Sequence, residues 1–476
     1  MFSEKKIELI EEVFYFLIGY LKNRNENELI RKNRPPEKLK DVFDVSLPGI
    51  NENTDISLFM TKLKNLLDYS VNTAHPLFMN QLYGGPNLIA VLGDIITSVL
   101  NTSIYTYEVA PLLTLIEKEC VLELGKLIGF DNSKIDGTFA PGGSISNMLA
   151  MVIARDNKFP EAKEKGLRHL PEFRIFVSDQ AHYSFLKGAM VFGFGTESVV
   201  KVKTDEAGRM DTDELLSAIA EEKQKGRIPI MLVATAGTTI NGVFDNINDL
   251  QKIADENQMW FHVDACYGGS LLFSTEHRKY LEGIEKADSV AWDLHKMLGI
   301  PLLCASLITK EKTALLDSFS IKASYLFHNE LDEYDLGNKA LQCGRRVDTL
   351  KLWLTWKFEG KQGLSNRVEH MLKNARLFAE MVKENKNLKL FSEPEAAIVC
   401  FQYRPEGFTN AKINELNKNI RTKIFLEGKI IFNYSEIKGQ TVLRCVISNP
   451  DITEEQLEQI IVSVVKTGNI LADKNI

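Results

Sequence analysis

Residues 228–266, IPIMLVATAGTTINGVFDNINDLQKIADENQMWFHVDAC, decide the fold class of this 476-residue chain. Two short apolar runs, IPIMLVATAG (228–237) and MWFHVDAC (259–266), flank the amphipathic segment NINDLQKIADENQ (246–258). A strand, a helix and a second strand of these lengths are typical of a βαβ unit, in which the two strands run parallel. The stretch therefore predicts a parallel sheet that is covered by helices.

The same alternation extends over residues 135–310, which indicates an α/β domain with a mostly parallel sheet and helices on both of its faces. A helix is predicted at DTDELLSAIAEEKQKG (211–226). Further strands are predicted at FRIFVSD (173–179), SVVKVKTD (198–205), SVAWD (289–293) and CASLIT (304–309).

The sequence on either side of this region has a different texture. Residues 4–33 are predicted to form an amphipathic helix followed by a polar break, and the proline-containing segment at 34–50 a linker with little regular structure. Residues 56–130 and 345–385 have apolar residues at helical spacing. The last ninety residues mix helices with short strands such as AAIVCFQY (396–403), which suggests a separate, smaller α+β domain.

We therefore divide the chain into three parts. Residues 1–75 are expected to form an N-terminal helical arm, residues 76–360 a large domain that carries the functional site, and residues 361–476 a small C-terminal domain.

The composition excludes several classes of protein. The chain is 44% hydrophobic and 25% charged, with a net charge of −7, which argues against a nucleic-acid-binding surface. Its six cysteines form no CxxC pair or zinc-like spacing, so we expect a reducing compartment and no metal site. The N-terminus lacks the pattern of a signal peptide, and its apolar run FYFLIGYL is too short to cross a bilayer. We therefore expect a cytoplasmic protein without a membrane anchor.

Four chemically useful features fall at predicted strand ends or helix starts, where ligands bind in open α/β sheets. The glycine turn PGGSIS (141–146) runs into a helix, whose free N–H groups favour an anion. His182 follows the strand FRIFVS, and Asp264 ends the strand MWFHVD. The fourth feature is WDLHK (292–296), which ends in Lys296.

Each feature has an ordinary structural interpretation when it is taken alone. The turn can be a serine-capped helix start, His182 a structural histidine, Asp264 a helix cap, and Lys296 a lysine that reaches solvent. Together they match the needs of pyridoxal phosphate, which requires a phosphate cradle, a stacking partner, a carboxylate for the pyridine nitrogen and a lysine for the Schiff base. We infer that Lys296 carries this cofactor and that His295 helps to bind its phosphate.

Longer motifs then carry a resemblance to a known family. The chain resembles the group II pyridoxal-phosphate-dependent amino-acid decarboxylases, and within them the cysteine sulfinate and glutamate decarboxylases. The resemblance covers residues 70–465, where these motifs occur in order: HPLFMNQLYGG (75–85), NTSIYTYEVAP (101–111), PGGSISN (141–147), HVDACYGGS (262–270), DSVAWDLHKML (288–298), QCGRRVD (342–348) and RCVISNP (444–450).

The resemblance implies the fold of the family, called fold type I or aspartate-aminotransferase-like. It consists of a mostly parallel seven-stranded sheet flanked by helices, with a small C-terminal α+β domain. It also implies a homodimer with active sites at the interface. The amphipathic N-terminal helix agrees with this, because its apolar face has no evident partner in its own domain.

Residue roles follow from the resemblance for the matched positions. Lys296 forms the Schiff base, Asp264 pairs with the pyridine nitrogen, His182 stacks on the ring, and Tyr325 of KASYLF is a loop tyrosine that gives a proton to the substrate carbon. The other cofactor-binding residues implied are Gly143, Ser144, Ser146, Thr239, His295 and, from the second subunit, Cys343. The substrate α-carboxylate is assigned to Gln81 and Arg444.

The sequence also departs from the family pattern. Asp293-Leu294 stands where Asn-Pro is usual before the His-Lys pair, Cys266 stands where Ala is usual beneath the ring, and the segment after Tyr325 is shorter than expected. These departures affect the expected cofactor contacts and loop behaviour rather than the catalytic residues.

Three residues bear on the substrate. Ser103 and Tyr105 match the cysteine sulfinate decarboxylases, and the bulky Tyr83 replaces a small residue of the glutamate enzymes, which should shorten the pocket. We therefore expect cysteine sulfinate or aspartate as substrate, with glutamate, 2,4-diaminobutyrate and aromatic amino acids as alternatives. An aminotransferase or a pyridoxal-phosphate protein without catalysis is a further alternative, which the set of Lys296, Asp264, His182, Tyr325 and Arg444 disfavours.

Overall fold

The computed structural model describes residues 3–22, 28–47, 49, 55–321 and 332–473. The N-terminal part is helical, and it also contributes one two-residue strand. Its elements are α1 (Glu4–Lys22), α2 (Pro36–Val42), α3 (Ile56–Tyr69), β1 (Phe78–Met79), α4 (Leu88–Leu100) and α5 (Pro111–Ile128).

Two sequence expectations about this part were wrong. The segment predicted to be a linker with little regular structure contains the seven-residue helix α2, because Pro36 occupies the first helical position, where its fixed φ suits a helix. The helical pattern predicted across residues 56–130 is interrupted, since α4 ends where Asn101 takes a left-handed conformation with φ of 46°. Residues 101–110 then run without a helix to the start of α5.

A seven-stranded sheet forms the centre of the large domain and confirms the predicted α/β class. Its order is β2-β8-β7-β6-β5-β3-β4, with β3 to β7 parallel and β8 antiparallel to both β2 and β7. The strands are β2 (Asp136–Ala140), β3 (Phe173–Ser178), β4 (Val199–Val202), β5 (Ile228–Thr235), β6 (Trp260–Asp264), β7 (Ser289–Asp293) and β8 (Ala305–Thr309).

Helices connect and cover these strands, and the apolar runs of the central strands are buried because both faces of the sheet are covered. The helix α10 starts where the Asn246 side chain accepts a hydrogen bond from the backbone N–H of Asp249. The helices of this part are α6 (Gly143–Lys158), α7 (Ala162–Lys165), α8 (Ser184–Val191), α9 (Thr212–Gln224), α10 (Ile247–Glu256) and α11 (Ala314–Phe319).

A second sheet, of five strands in the order β1-β11-β12-β10-β9, lies mostly in the C-terminal part. Its members beyond β1 are β9 (Leu388–Leu390), β10 (Ile398–Tyr403), β11 (Ile431–Ile437) and β12 (Gln440–Val446). The helices of this part are α12 (Thr349–Glu384), α13 (Asn410–Glu427) and α14 (Glu454–Ala472). The predicted α+β character of this region is confirmed.

The predicted domain boundaries stay a prediction. Two local features bear on them: Gly360, with φ of 69°, interrupts α12 at the predicted end of the large domain, and β1 pairs in parallel with β11 of the second sheet. Within the described ranges, no helix is both long enough and apolar enough to cross a lipid bilayer.

Candidate active site

The parallel strands bring the predicted site residues to one edge of the large sheet. Asp264 ends β6, Lys296 follows the end of β7 by three residues, and His182 follows the end of β3 by four. All three line one cavity of about 420 Å³. The expectation that these groups meet at the carboxyl ends of the strands is therefore met.

Most of the other predicted site residues belong to this cavity or lie next to it. Its lining includes Tyr83, Gly143, Ser144, Thr239 and His295. Tyr325 lies outside the described residues. The predicted residues that do not line the cavity are Gln81, Ser103, Tyr105, Ser146, Cys343 and Arg444.

Asp264 is buried, and its carboxylate accepts two hydrogen bonds. Asn147 of α6 donates to Oδ2 at 2.8 Å, and the backbone N–H of Cys266 donates to Oδ1 at 3.1 Å. Burial alone would raise the pKa of this carboxyl, but Lys296, the Cys266 hydrogen bond and nearby histidines outweigh burial and lower it. The carboxylate is therefore ionised and fixed in orientation.

The hydrogen-bond network continues from Asn147 to His262 and Ser289. The Asn147 carbonyl oxygen lies 3.1 Å from Nε2 of His262, and Nδ1 of His262 lies 2.8 Å from the Ser289 hydroxyl. Burial lowers the pKa of His262 to about 4, so this ring is neutral at physiological pH. A neutral ring that donates from Nε2 fixes Asn147 with its amide nitrogen towards Asp264.

Lys296 is paired with a carboxylate that belongs to its own turn. Its Nζ lies 3.1 Å from Oδ2 of Asp293, and the lysine side chain is 18% exposed. Burial would lower the lysine pKa, but the carboxylates of Asp293 and Asp264 raise it above its ordinary value. The amine is thus held as an ammonium ion inside the cavity.

The two predicted cofactor-contacting histidines are both neutral. Burial lowers the pKa of His182 and of His295, although nearby carboxylates partly oppose the effect. His182 accepts a hydrogen bond from the backbone of Ser184 at 3.3 Å, which fixes its ring. His295 interacts through Nδ1 with the backbone of Cys304. A neutral, fixed ring is suited to stacking and to donating a single hydrogen bond.

The start of α6 has the features of an anion cradle. A Cβ on Gly143 would overlap the Cys266 sulfur and would lie 2.7 Å from each carboxylate oxygen of Asp293, so only glycine fits there. The Ser146 hydroxyl is buried and has no hydrogen-bond partner among the described residues. The free N–H groups of this helix start and the side chain of Ser144, which lines the cavity, are suited to a ligand oxygen.

Arg444 lies behind the cavity wall. Its guanidinium donates to the carbonyl oxygens of Thr239 at 2.6 Å, Ile240 at 2.9 Å and Asn80 at 3.4 Å. The arginine thus connects the segment of Thr239, which lines the cavity, to the residue that precedes Gln81. Direct contact of Arg444 and Gln81 with a substrate carboxylate stays a prediction.

Ser103 and Tyr105 are hydrogen-bonded to the segment 337–345, which contains Cys343. The Ser103 hydroxyl accepts from the backbone N–H of Arg345 at 2.9 Å, and the Tyr105 carbonyl accepts from Gly337 N–H at 2.8 Å. Cys343 is exposed. These residues do not line the cavity of their own chain, and their predicted roles in cofactor and substrate binding remain untested.

Sequence reasoning missed two residues that shape the site. Asn147 was quoted in a motif but given no role, although a buried amide in the apolar helix SNMLAM is an available signal. Asp293 was recognised only as a departure, although its position three residues before Lys296 allows a pairing within one turn.

Comparisons with known proteins agree on one family. The family model described as the pyridoxal-dependent decarboxylase conserved domain matches residues 36–404. Cysteine sulfinic acid decarboxylase of Mus musculus is 38% identical over 467 residues, covering 94% of both chains. The acidic amino acid decarboxylase GADL1 of Homo sapiens is 38% identical over 92% of this chain and 86% of its own length. The crystal structure of mouse CSAD superposes with a TM-score of 0.94 at 36% identity, covering 98% of this chain and 99% of that one.

Proposed function

The chain belongs to the pyridoxal-dependent decarboxylase family and is a pyridoxal-phosphate-dependent amino-acid decarboxylase, and from this we propose that it removes the α-carboxylate of a short acidic L-amino acid. The preferred substrates are L-cysteine sulfinate, which gives hypotaurine, and L-aspartate, which gives β-alanine. The observation that carries the proposal is the meeting of Lys296, Asp264 and His182 in one cavity, with Tyr83 on its wall.

The residues of the cavity fit the cofactor. The cavity volume of about 420 Å³ lies in the usual range for small-molecule sites. The glycine turn at Gly143 suits a phosphate, together with Ser144 and His295, which also line the cavity. For the ring of the cofactor, the ionised carboxylate of Asp264 suits a protonated pyridine nitrogen.

Each of the proposed catalytic residues has a separate role in the reaction. When bound, pyridoxal phosphate would supply a positively charged ring that takes up the electron pair left on the α-carbon by the departing carbon dioxide. Asp264, fixed by Asn147, would keep that ring protonated, and His182 would lie against the ring face. Lys296 would hold the cofactor covalently until the amine of the substrate takes its place. Tyr325 gives a proton to the α-carbon after carbon dioxide has left.

Support for an acidic substrate comes from the relatives and from Tyr83. The mouse relative is named for cysteine sulfinic acid and the human one for acidic amino acids. Tyr83 lines the cavity, where a phenol ring reduces the length available to a substrate side chain. A three-carbon acid fits this restriction better than glutamate does.

A decarboxylation assay tests the proposal directly. The holoenzyme should release carbon dioxide from cysteine sulfinate or aspartate faster than from glutamate, 2,4-diaminobutyrate or an aromatic amino acid, when kcat/KM values are compared. A higher kcat/KM for an aromatic or a basic substrate would contradict the acidic assignment while leaving the decarboxylase family assignment intact.

Replacing Tyr83 with serine should shift the specificity towards glutamate. The smaller side chain lengthens the pocket by about one methylene, which corresponds to about a tenfold or larger change in the ratio of kcat/KM for glutamate to that for cysteine sulfinate. Tyr434→Ser on β11, outside the cavity lining, is the matched control and should leave the ratio unchanged. An unchanged ratio in Tyr83→Ser would make Ser103 the next candidate selector.

We further propose that the enzyme is a homodimer with active sites at the interface. The helix α1 contributes no buried residue, and its residues Ile7, Ile10, Phe14 and Ile18 are between 40% and 50% exposed. Such an apolar stripe is costly to leave in water, so a second copy of the chain is its proposed partner. The exposed Cys343 supports the proposal, since the resemblance assigns it to the second subunit's phosphate site.

Charged substitutions on this stripe test the dimer. The double variant Ile7→Asp/Phe14→Asp should sediment as a monomer and lose most of its decarboxylase activity, because each site would lack the residues of the second subunit. The control Glu8→Ala/Glu12→Ala alters the same helix without reaching the apolar stripe, and it should sediment as the unmodified protein does. A fully active monomer would contradict the interface proposal.

A further inference from the structure

Asp293 is a carboxylate that lines the cavity and has no role in the proposed mechanism. Its side chain is 5% exposed, and its Oδ2 lies 3.1 Å from Nζ of Lys296 and 3.7 Å from Nε2 of His295. Its Oδ1 is buried and has no hydrogen-bond partner among the described residues. One oxygen of this carboxylate is therefore without a hydrogen-bond donor among the described residues.

The position of Asp293 coincides with the start of α6. Both of its carboxylate oxygens lie 2.7 Å from the point that a Cβ on Gly143 would occupy, so they border directly on the glycine turn. The free N–H groups of this helix start attract an anion, and the proposed function assigns the cofactor phosphate to the same turn. Two anionic groups are thus directed to one positively polarised helix end.

The charged residues around the cavity do not neutralise the negative charge of a bound phosphate. Its described lining residues include two carboxylates, Asp264 and Asp293, and a single cation, Lys296. His182 and His295 are kept neutral by burial, and burial also raises the pKa of the Cys266 thiol, so that the thiol is neutral too. Lys296 is already paired with Asp293. A phosphate dianion would therefore enter a site in which no described cation is free to neutralise it.

We propose that Asp293 is a built-in anion of the phosphate site, which weakens the binding of the cofactor phosphate and makes that binding take up a proton. The proposal rests on the proposed phosphate position at Gly143 and Ser144, and it does not depend on which amino acid is decarboxylated.

The linkage between cofactor binding and proton uptake follows from the repulsion of like charges at a buried carboxylate. Two acids that share such a site do not both stay fully ionised, and one of them retains a proton. The retained proton is shared among the phosphate, Asp293 and His295, whose Nε2 faces Asp293. A free phosphate monoester loses its second proton with a pKa of about 6, so above that pH the complex must take a proton from solvent. The affinity for phosphate should then fall by up to about tenfold for each pH unit above this value.

The experiment uses the full-length protein from which the cofactor has been removed. The ligand is 4′-deoxypyridoxine 5′-phosphate, which lacks the aldehyde, so that the chemistry of Lys296 does not enter. Calorimetry between pH 6 and pH 9, in two buffers of different ionisation enthalpy, gives both the affinity and the number of protons taken up. Unphosphorylated pyridoxine serves as the control ligand.

The unmodified protein should take up close to one proton per ligand at pH 8, and its affinity should fall as the pH rises. Asp293→Asn keeps the shape but removes the charge, so it should bind the phosphorylated ligand at least about tenfold more tightly at pH 8 with less than half the proton uptake. Its affinity for pyridoxine should stay unchanged. If Asp293→Asn does not fold, Asp293→Ser and the proton uptake of the unmodified protein provide the same test.

Equal or weaker binding of the phosphorylated ligand by Asp293→Asn at pH 8, or the absence of proton uptake by the unmodified protein, would overturn the proposal. Ser144→Ala tests the phosphate position separately, because it should weaken the binding of the phosphorylated ligand but not of pyridoxine. If it changes neither affinity, the phosphate lies elsewhere and the proposal fails, whereas the decarboxylase assignment is tested by its own assay.

Discussion

Lys296→Ala should give a protein that folds, lacks the yellow colour of a bound aldehyde cofactor and has no measurable decarboxylase activity. The expected loss is complete, because Lys296 is the only lysine among the described residues that line the cavity. Without its amine, the cofactor has no covalent attachment and no group that returns it to the starting state after each turnover. Absorbance spectra and product formation from cysteine sulfinate measure the two effects.

The control for this variant is Lys310→Ala, which removes a lysine just after β8 that is not part of the cavity. It should keep both the colour and the activity. Borohydride reduction of the unmodified protein should place a pyridoxyl group on Lys296 in a mass spectrum. A reduced pyridoxyl group on any other lysine would contradict the assignment.

The parallel sheet was predictable because its central strands are short apolar runs. The strands β5 and β6 are buried along almost their whole length, so the hydrophobic pattern alone separates them from the amphipathic helix between them. The strand β2 was missed, since DGTFA contains an acid and a glycine and has no apolar run. Its burial depends on α5, the preceding helix, and on β8, which is distant in sequence.

The site was predictable to the extent that it depends on strand ends. Asp264 and Lys296 follow directly from the pattern of apolar run and polar residue, because parallel strands end at one edge. The hydrogen bond from Asn147 to Asp264 joins residues that are 117 positions apart. Neither its existence nor the position of Asp293 against Gly143 follows from spacing, since both depend on how α6 packs on the sheet.

The neutral state of the two histidines could not be predicted from the sequence. From sequence, His182 and His295 are ordinary histidines that titrate near physiological pH. In the folded chain, burial lowers the pKa of both. A neutral His182 carries no extra proton, which makes it a poor proton donor to the α-carbon.

The second large effect is therefore expected at Tyr325. The resemblance assigns the proton donor to Tyr325, which lies outside the described residues, and the neutral His182 is a poor competitor for that role. A phenol can give a proton to a carbon when the closed site excludes water. Tyr325→Phe removes only the hydroxyl, so cofactor binding and the substrate Kd should stay close to those of the unmodified enzyme.

Amine formation by Tyr325→Phe should fall by about 10²–10⁴-fold, which is the usual contribution of a positioned acid. A larger share of turnovers should end with the proton on the cofactor carbon instead, so pyridoxamine phosphate should accumulate while the enzyme loses activity. Chromatography of the amine product and of the released cofactor measures the two outcomes separately. A merely structural role for the hydroxyl would lower both products together.

Tyr183→Phe is the matched control, because Tyr183 also lines the cavity but is 55% exposed. It should leave the ratio of amine to pyridoxamine phosphate unchanged. Full decarboxylase activity in Tyr325→Phe would contradict the assignment and direct attention to His182, whose neutral ring would then have to gain its proton during the reaction. The pH profile of kcat would separate these two donors, since only a histidine donor would lose activity as the pH rises through the range in which imidazole deprotonates.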